Sequence, residues 1–202
     1  MKFYFSNLKV IKSFGYFLPF LVYTKFKINI ANSATLHLSS RLRIGDKETP
    51  EASPNISSLI LKENSTTHFG EGVVLGGGTF IFVKENANFK IGNNTYFTSD
   101  VHLECVNNIV IGDNCAISWG VTIIDDDHHR IVPTSPKNEV EKPKVIIGSK
   151  VWIGCNVTIL KNTFIGNNSI VAAGSVVRGT FPDNVLIGGN PARILKTNVN
   201  WE

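Results

Sequence analysis

The residues best able to do chemistry lie in one short run, in which three carboxylates, Asp125 to Asp127, precede two imidazoles, His128 and His129. An imidazole titrates near neutral pH, so it can take the proton of a hydroxyl group when a carboxylate or carbonyl holds its other ring nitrogen. The same residue types also bind metals, but neighbouring side chains on an extended segment point to opposite sides. We therefore predict a general base and no metal ion. The alternative is a solvated acidic turn.

Charge and cysteine content limit the partners of this chain. The net charge is only +4, from 20 Lys and Arg against 16 Asp and Glu, without the long basic runs of a nucleic-acid arm. We predict a small anionic ligand and no nucleic acid. Cys105, Cys115 and Cys155 form no CxxC motif and no metal-type spacing with histidine, so we interpret them as small apolar groups in a reducing compartment.

The N-terminal region, residues 1–27, is apolar and basic. Its apolar stretch, residues 14–23, is about half the length of a membrane span, contains Pro19 and is not followed by a small-residue cleavage site. We therefore expect a cytoplasmic protein. The flanking lysines make this segment a candidate for peripheral contact with the inner membrane face. Packing on the end of the core or on a neighbouring subunit is the favoured alternative.

The elements that must position the Asp–His run are short strands and turns. Four residue types dominate the chain, with 22 Ile, 19 Val, 21 Asn and 17 Gly, whereas helix formers are scarce. Aliphatic residues recur every six positions, without a slip, at Ile147, Ile153, Ile159, Ile165, Val171 and Val177. Three short parallel strands, each followed by a turn, use about eighteen residues per coil, and a six-residue period is typical of a parallel β-helix.

The repeat also predicts how the chain is organised. We expect an N-terminal segment, irregular or helical, over 1–27, a β-helix over 28–195 and a tail over 196–202. Residues 125–144 break the repeat and re-enter it in register, so we expect a protruding loop there. We interpret the 36 residues from Ile111 to Ile147 as two coils, and residues 46–58 as a polar insertion loop.

Four motifs in order extend this interpretation. They are ISWGVTIIDDDHHRI at 117–131, KVIIGSKVWIG at 144–154, AGSVV at 173–177 and GGNPAR at 188–193. Together they resemble the hexapeptide acyltransferases, especially the O-acetyltransferases of capsule and surface polysaccharide synthesis. The resemblance implies a left-handed β-helix, a homotrimer with active sites between subunits, and acetyl-CoA as donor. It also implies that a histidine deprotonates the acceptor hydroxyl, which attacks the thioester directly.

The resemblance further implies roles for individual residues. The base is His129, or His128 in an alternate register, and the backbone N–H of Cys155 holds the oxyanion. Residues implied to contact the cofactor or the sugar are Trp152, Ala173, Arg178, Arg193 and Lys196 for acetyl-CoA, and Tyr96 and Thr98 for the acceptor. We expect transfer of acetyl to a sugar hydroxyl of a surface polysaccharide or its precursor.

Three alternatives remain at this point. The first is an N-acetyltransferase of amino sugars, and the second is a γ-type carbonic anhydrase. The anhydrase needs three metal-binding histidines on adjoining coils, a spacing that His68, His102 and His128 or His129 do not show. The third is a catalytically inactive scaffold.

Overall fold

The computed structural model describes residues 19–45, 53–129 and 144–202, and these contain no helix. They form 21 strands: β1 Phe20–Val22, β2 Phe26–Ile30, β3 Thr35–Leu38, β4 Leu42–Ile44, β5 Ser57–Leu61, β6 Thr66–Phe69, β7 Val74–Leu75, β8 Phe80–Val83, β9 Asn88–Ile91, β10 Tyr96–Phe97, β11 His102–Cys105, β12 Asn108–Ile111, β13 Ala116–Ile117, β14 Thr122–Ile124, β15 Val145–Ile147, β16 Trp152–Ile153, β17 Thr158–Ile165, β18 Ile170–Val171, β19 Val176–Phe181, β20 Val185–Gly189 and β21 Ala192–Thr197. The paired strands run parallel except for β20 and β21, which are antiparallel to each other.

The coil has three faces. Face one contains β1, β4, β7, β10, β13, β16, β18, β20 and β21. Face two contains β2, β5, β8, β11, β14 and the first halves of β17 and β19. Face three contains β3, β6, β9, β12, β15 and the second halves of the same two strands. The predicted parallel β-helix is confirmed.

The period of six arises because successive inward side chains belong to successive faces. Ile147 points inward from face three, Ile153 from face one and Ile159 from face two, and all three are buried. On each face the same position repeats from coil to coil, so the aliphatic side chains stack along the axis. On face two this column consists of Leu59, Ile81, Leu103, Ile123, Ile159 and Val177. Burying each such side chain contributes about 1.5–3 kcal/mol.

The asparagines form the corners. Of the twelve non-glycine residues described with positive φ, nine are Asn, the residue type that best tolerates this left-handed conformation after Gly. Asn162, with φ 59°, makes the turn between the two halves of β17, as its residue type predicts. The polar side chains beside these turns also connect the coils. For example, Asp113 Oδ1 accepts the Asn93 N–H at 2.5 Å.

The structure corrects three boundaries. Ile111 pairs directly with Ile147, so the 36 residues between them form one coil plus the inserted loop, not two coils. The coil begins before residue 28, because β1 already pairs with β4 and β2 begins at Phe26. The insertion predicted over 46–58 ends sooner, since β5 begins at Ser57. Residues 1–18, 46–52 and 130–143 of the predicted segments lie outside the described residues.

Two further expectations concern burial and membrane contact. All three cysteines are free; Cys105 and Cys115 are buried and Cys155 is half-buried. Burial raises the pKa of the Cys105 and Cys115 thiols, which agrees with their interpretation as small apolar groups. Within the described residues, no helix has the length and apolar character needed to cross a membrane.

Candidate active site

The Asp–His run begins at the corner between faces two and three, where β14 ends. The first carboxylate, Asp125, is fully buried and accepts three backbone N–H groups of the preceding coil. Val106 donates to Oδ1 at 2.7 Å, while Asn107 and Asn108 donate to Oδ2 at 2.8 and 2.6 Å. Burial raises the pKa of Asp125, and these hydrogen bonds oppose that shift. Asp125 therefore fixes the root of the loop.

The second and third carboxylates shape the turn that carries the histidines. Asp126 Oδ1 accepts the backbone N–H of His128 at 2.6 Å, which closes a turn with His128 in the left-handed region at φ 56°. Asp127 Oδ2 forms an ion pair with Lys161 Nζ at 2.7 Å. Because Lys161 belongs to β17 of the next coil, the loop root is tied to the coils on both sides.

The two histidines have different partners. His128 Nε2 lies 3.3 Å from Glu104 Oε2 on β11, and both side chains are accessible to solvent, 43% and 22% exposed. His129 Nδ1 lies 3.4 Å from the carbonyl oxygen of Asp127, a long contact that suits a donated N–H. Among the described residues, the Nε2 atom of His129 has no hydrogen-bond partner. The two histidines are adjacent in sequence but have different surroundings in the structure.

The remaining histidines lie elsewhere. His68 stacks on His37 on face three, with ring centroids 4.0 Å apart, and His102 stacks on Phe80 on face two, at 4.8 Å. In the described part of the chain, no three His, Cys, Asp or Glu side chains converge as metal ligands would.

Several residues implied to bind the cofactor lie on face one. Trp152 of β16 points outward and is 42% exposed, and its indole N–H donates to Ser118 Oγ at 3.4 Å. In register with it along the axis lie Ile170, Leu186 and Lys196. Three strand spacings separate Trp152 from Lys196, about 14 Å. Arg193 lies on the same strand as Lys196, opposite Gly188.

Cys155 and Ala173 share the corner between faces one and two. The Cys155 carbonyl accepts the N–H of Gly174 at 2.9 Å, which joins their two coils. A Cβ built on Gly154 would lie 2.7 Å from the Ala173 nitrogen, so glycine is required for this close approach. Arg178 lies apart from this group. It follows the inward-pointing Val177 at the corner between faces two and three.

The two residues implied to contact the acceptor are at the other end of the same column. Tyr96 of β10 is exposed on face one and flanks Ala116, which is buried between it and Trp152. Thr98 follows β10, and its carbonyl oxygen occupies the space that a side chain on Gly76 would need.

One chain brings only part of the candidate site together. Tyr96, Trp152 and Lys196 share a column on face one, with the Cys155 corner next to it. The histidines follow Asp125 at the far side of face two, and the five residues from the corner at Gly120 to Asp125 span about 16 Å.

Comparisons with known proteins assign this arrangement to a family. Residues 144–179 match the bacterial transferase hexapeptide family, which is defined by six repeats. The chain is 32% identical over 145 residues to the putative lipopolysaccharide biosynthesis O-acetyl transferase WbbJ of Escherichia coli K12, covering 67% of this chain and 74% of that protein. The chain belongs to the hexapeptide-repeat acyltransferase family. As in other members, the coil of this enzyme is a left-handed parallel β-helix.

Two further relatives are informative. The galactoside O-acetyltransferase of Escherichia coli K12 is 31% identical over 116 residues, 57% of each chain. The crystal structure of the polySia specific acetyltransferase NeuO superposes with a TM-score of 0.61 and 24% identity over 91% of this chain and 89% of that one. This second likeness concerns the fold.

Three residues of this hexapeptide-repeat acyltransferase were missed by sequence reasoning. Glu104 and Lys161 contact the Asp–His run from neighbouring coils, and Trp201 contacts Trp152 from the tail. With the coil length known, the alternation along β11 indicates that Glu104 points outward beside the loop. No comparable signal exists for Trp201, because the tail does not follow the repeat.

Proposed function

We propose that this acyltransferase is an acetyl-CoA-dependent O-acetyltransferase that modifies a sugar hydroxyl of a surface polysaccharide or its precursor. The observation that carries the proposal is the setting of His129. Its Nδ1 atom faces the Asp127 carbonyl at 3.4 Å, a contact that favours the tautomer with the proton on Nδ1 and Nε2 as the basic nitrogen. The names of the relatives, O-acetyltransferases of lipopolysaccharide biosynthesis and of galactosides, support the reaction class and the kind of acceptor.

The reaction needs one base and one oxyanion donor. His129 Nε2 takes the proton of the acceptor hydroxyl as its oxygen attacks the thioester carbonyl. The backbone N–H of Cys155 stabilises the negative oxygen of the tetrahedral intermediate. Collapse breaks the carbon–sulfur bond, and the CoA thiolate takes the proton back from the imidazolium. The products are the acetyl ester and CoA, and the thiol of Cys155 takes no part.

The donor is proposed to lie along the outward column of face one. Trp152 contacts the pantetheine arm, Ala173 offers backbone polar groups to its amides, and Arg193 and Lys196 contact the phosphates. Arg178 lies at the corner between faces two and three, as the histidines do, so its contact with the donor would have to come from a neighbouring subunit. Because about 16 Å of face two lies between the histidines and the Cys155 corner in one chain, we propose that the active site forms between two subunits of a homotrimer.

Acetyl transfer to candidate glycans tests the proposal. We would incubate glycans with the enzyme and acetyl-CoA and detect the product by mass spectrometry. Loss of the added acetyl group in mild base distinguishes an ester from an amide. His129→Ala should lower kcat about 10²- to 10⁴-fold.

The matched variant His128→Ala should have a smaller effect, since its ring nitrogen faces Glu104. Far-UV circular dichroism serves as the folding control for both variants. Full activity in both would show that neither histidine is the base, and loss in His128→Ala alone would transfer the role to His128.

A further inference from the structure

The C-terminal tail folds back along face one. After β21 the chain turns at Asn198, which has φ 56°, and the Val199 N–H donates to the Asn184 carbonyl at 3.0 Å. Two residues later the indole N–H of Trp201 donates to the Lys150 carbonyl at 2.9 Å, a contact 51 residues apart in the chain. Ordering each backbone residue costs about 1–2 kcal/mol, so these contacts must offset that loss for the tail to be held.

The tail brings Trp201 to Trp152. The two indole rings have centroids 6.3 Å apart and an interplanar angle of 50°, a tilted arrangement within the favourable range for aromatic pairs. Trp152 nevertheless keeps 42% of its surface exposed. Trp201 therefore contacts the Trp152 ring without covering it.

Support from another residue matters because the side chain of Trp152 has few fixed contacts. It stands on the outer surface of a two-residue strand, and its indole N–H reaches Ser118 only at 3.4 Å. A hydrogen bond of that length fixes the ring weakly. The contact with Trp201 adds a second restraint on the ring, and a restrained ring loses less entropy when a ligand binds.

We infer that Trp201 is a positioning residue, which fixes the Trp152 indole for contact with the pantetheine arm of the acyl donor. This inference rests on the proposed function for the role of Trp152. The arm is a flexible chain of methylene and amide groups. A preoriented aromatic ring binds such a chain with little further loss of its own conformational entropy. The tail thereby becomes part of the donor site, although its residues lie outside the repeat.

Isothermal titration calorimetry with CoA tests the inference without an acceptor. Trp201→Ala should raise the Kd for CoA about 3- to 10-fold, which corresponds to the loss of one aromatic pair. Trp201→Phe keeps a ring beside Trp152 but loses the hydrogen bond to the Lys150 carbonyl, so its Kd should lie between those of the wild type and Trp201→Ala. The matched control is Asn200→Ala, a change to the neighbouring exposed residue, which should bind CoA as the wild type does.

A double-mutant cycle shows whether Trp201 acts through Trp152. If it does, Trp201→Ala should have little further effect on the Kd in a Trp152→Ala background. Near-UV circular dichroism provides an independent signature, because the signal of an immobilised Trp152 ring should persist in Trp201→Phe and weaken in Trp201→Ala.

The outcomes separate this inference from the proposed function. If the wild type binds CoA and Trp201→Ala binds it equally well, the positioning role is wrong and the proposed function stands. Tighter binding by Trp201→Ala would also overturn the inference, because the tail would then be a cover. Equal losses with and without Trp152 would mean that Trp201 does not act through that ring. A wild type that binds no CoA would refute both proposals.

Discussion

Replacing Asp125 with Asn tests whether this buried carboxylate holds the loop root. Asp125 accepts three N–H groups with two oxygens, whereas Asn has a single acceptor oxygen. If that oxygen stays with Asn107 and Asn108, the amide NH₂ group faces the N–H of Val106, and one buried donor loses its acceptor. A hydrogen bond to a charged group contributes about 1.5–3 kcal/mol, and a neutral amide weakens the two that remain. Relief of the buried charge offsets part of this loss.

We therefore expect Asp125→Asn to lower the free energy of unfolding by about 2–4 kcal/mol. For a chain of this size that corresponds to a fall in Tm of about 5–10 °C. The assay is thermal unfolding at one fixed protein concentration, since assembly would make Tm depend on concentration. The matched control is Asp126→Asn, because that side chain caps a more exposed turn with one hydrogen bond and should cost about 1 kcal/mol or less.

The same variant should change catalysis in a selective way. Displacing the loop root should lower kcat, while the Kd for CoA should stay close to that of the wild type because the proposed donor residues lie on face one. A Tm equal to that of the wild type would show that the three N–H groups do not depend on this carboxylate. The reasoning about the loop root would then fail.

The remaining predictions concern stability. Gly76→Ala should lower the free energy of unfolding by about 3 kcal/mol or more, because the new Cβ overlaps the Thr98 carbonyl oxygen. Urea unfolding measures this loss. An unchanged unfolding midpoint would contradict the close approach of the two coils. Burial, His37 and Lys90 lower the pKa of His68, so the folded state binds fewer protons than the unfolded state just below pH 6.5. The free energy of unfolding should therefore rise with pH through that window. His68→Gln should flatten the rise, and an unchanged slope would assign it to other groups.

The coil could be predicted because the same six-residue pattern occurs many times along the chain. Each inward position is specified by one aliphatic residue, and the spacing survives even where a single corner is irregular, as at Asn162. The number of coils was harder to predict. The 36-residue step from Ile111 to Ile147 exceeds one coil by about eighteen residues, the length of another coil, so spacing alone cannot distinguish an inserted loop from two regular coils.

The candidate site was predictable only where it lies within one segment. The Asp–His run could be identified as the chemical centre because its residues are consecutive. The different roles of its residues depend on contacts with residues distant in sequence, such as Glu104 with His128 and Lys161 with Asp127. These partners come from other coils, and their contacts depend on the register between strands.

The inserted loop and Asp125 are linked, because the carboxylate compensates for backbone hydrogen bonds that the insertion removes. In an uninterrupted coil, N–H groups at the corner between faces two and three donate to backbone carbonyls of the next coil, as Lys84 does to Cys105 at 2.8 Å. Where the loop leaves after Asp125, no backbone carbonyl among the described residues accepts the N–H groups of Val106, Asn107 and Asn108. Without the carboxylate, the three part-buried N–H groups beginning at Val106 would lack acceptors, a cost that folded proteins avoid.

The Asp125 carboxylate replaces the missing carbonyls, since its two oxygens accept all three N–H groups. The insertion itself therefore favours an acidic residue at the first position of the run, whatever the enzyme acetylates. The second and third carboxylates are free of that constraint and instead shape the turn that holds His128 and His129. The candidate catalytic residues therefore come after Asp125, whose own role is to accept the N–H groups that the insertion leaves without backbone acceptors.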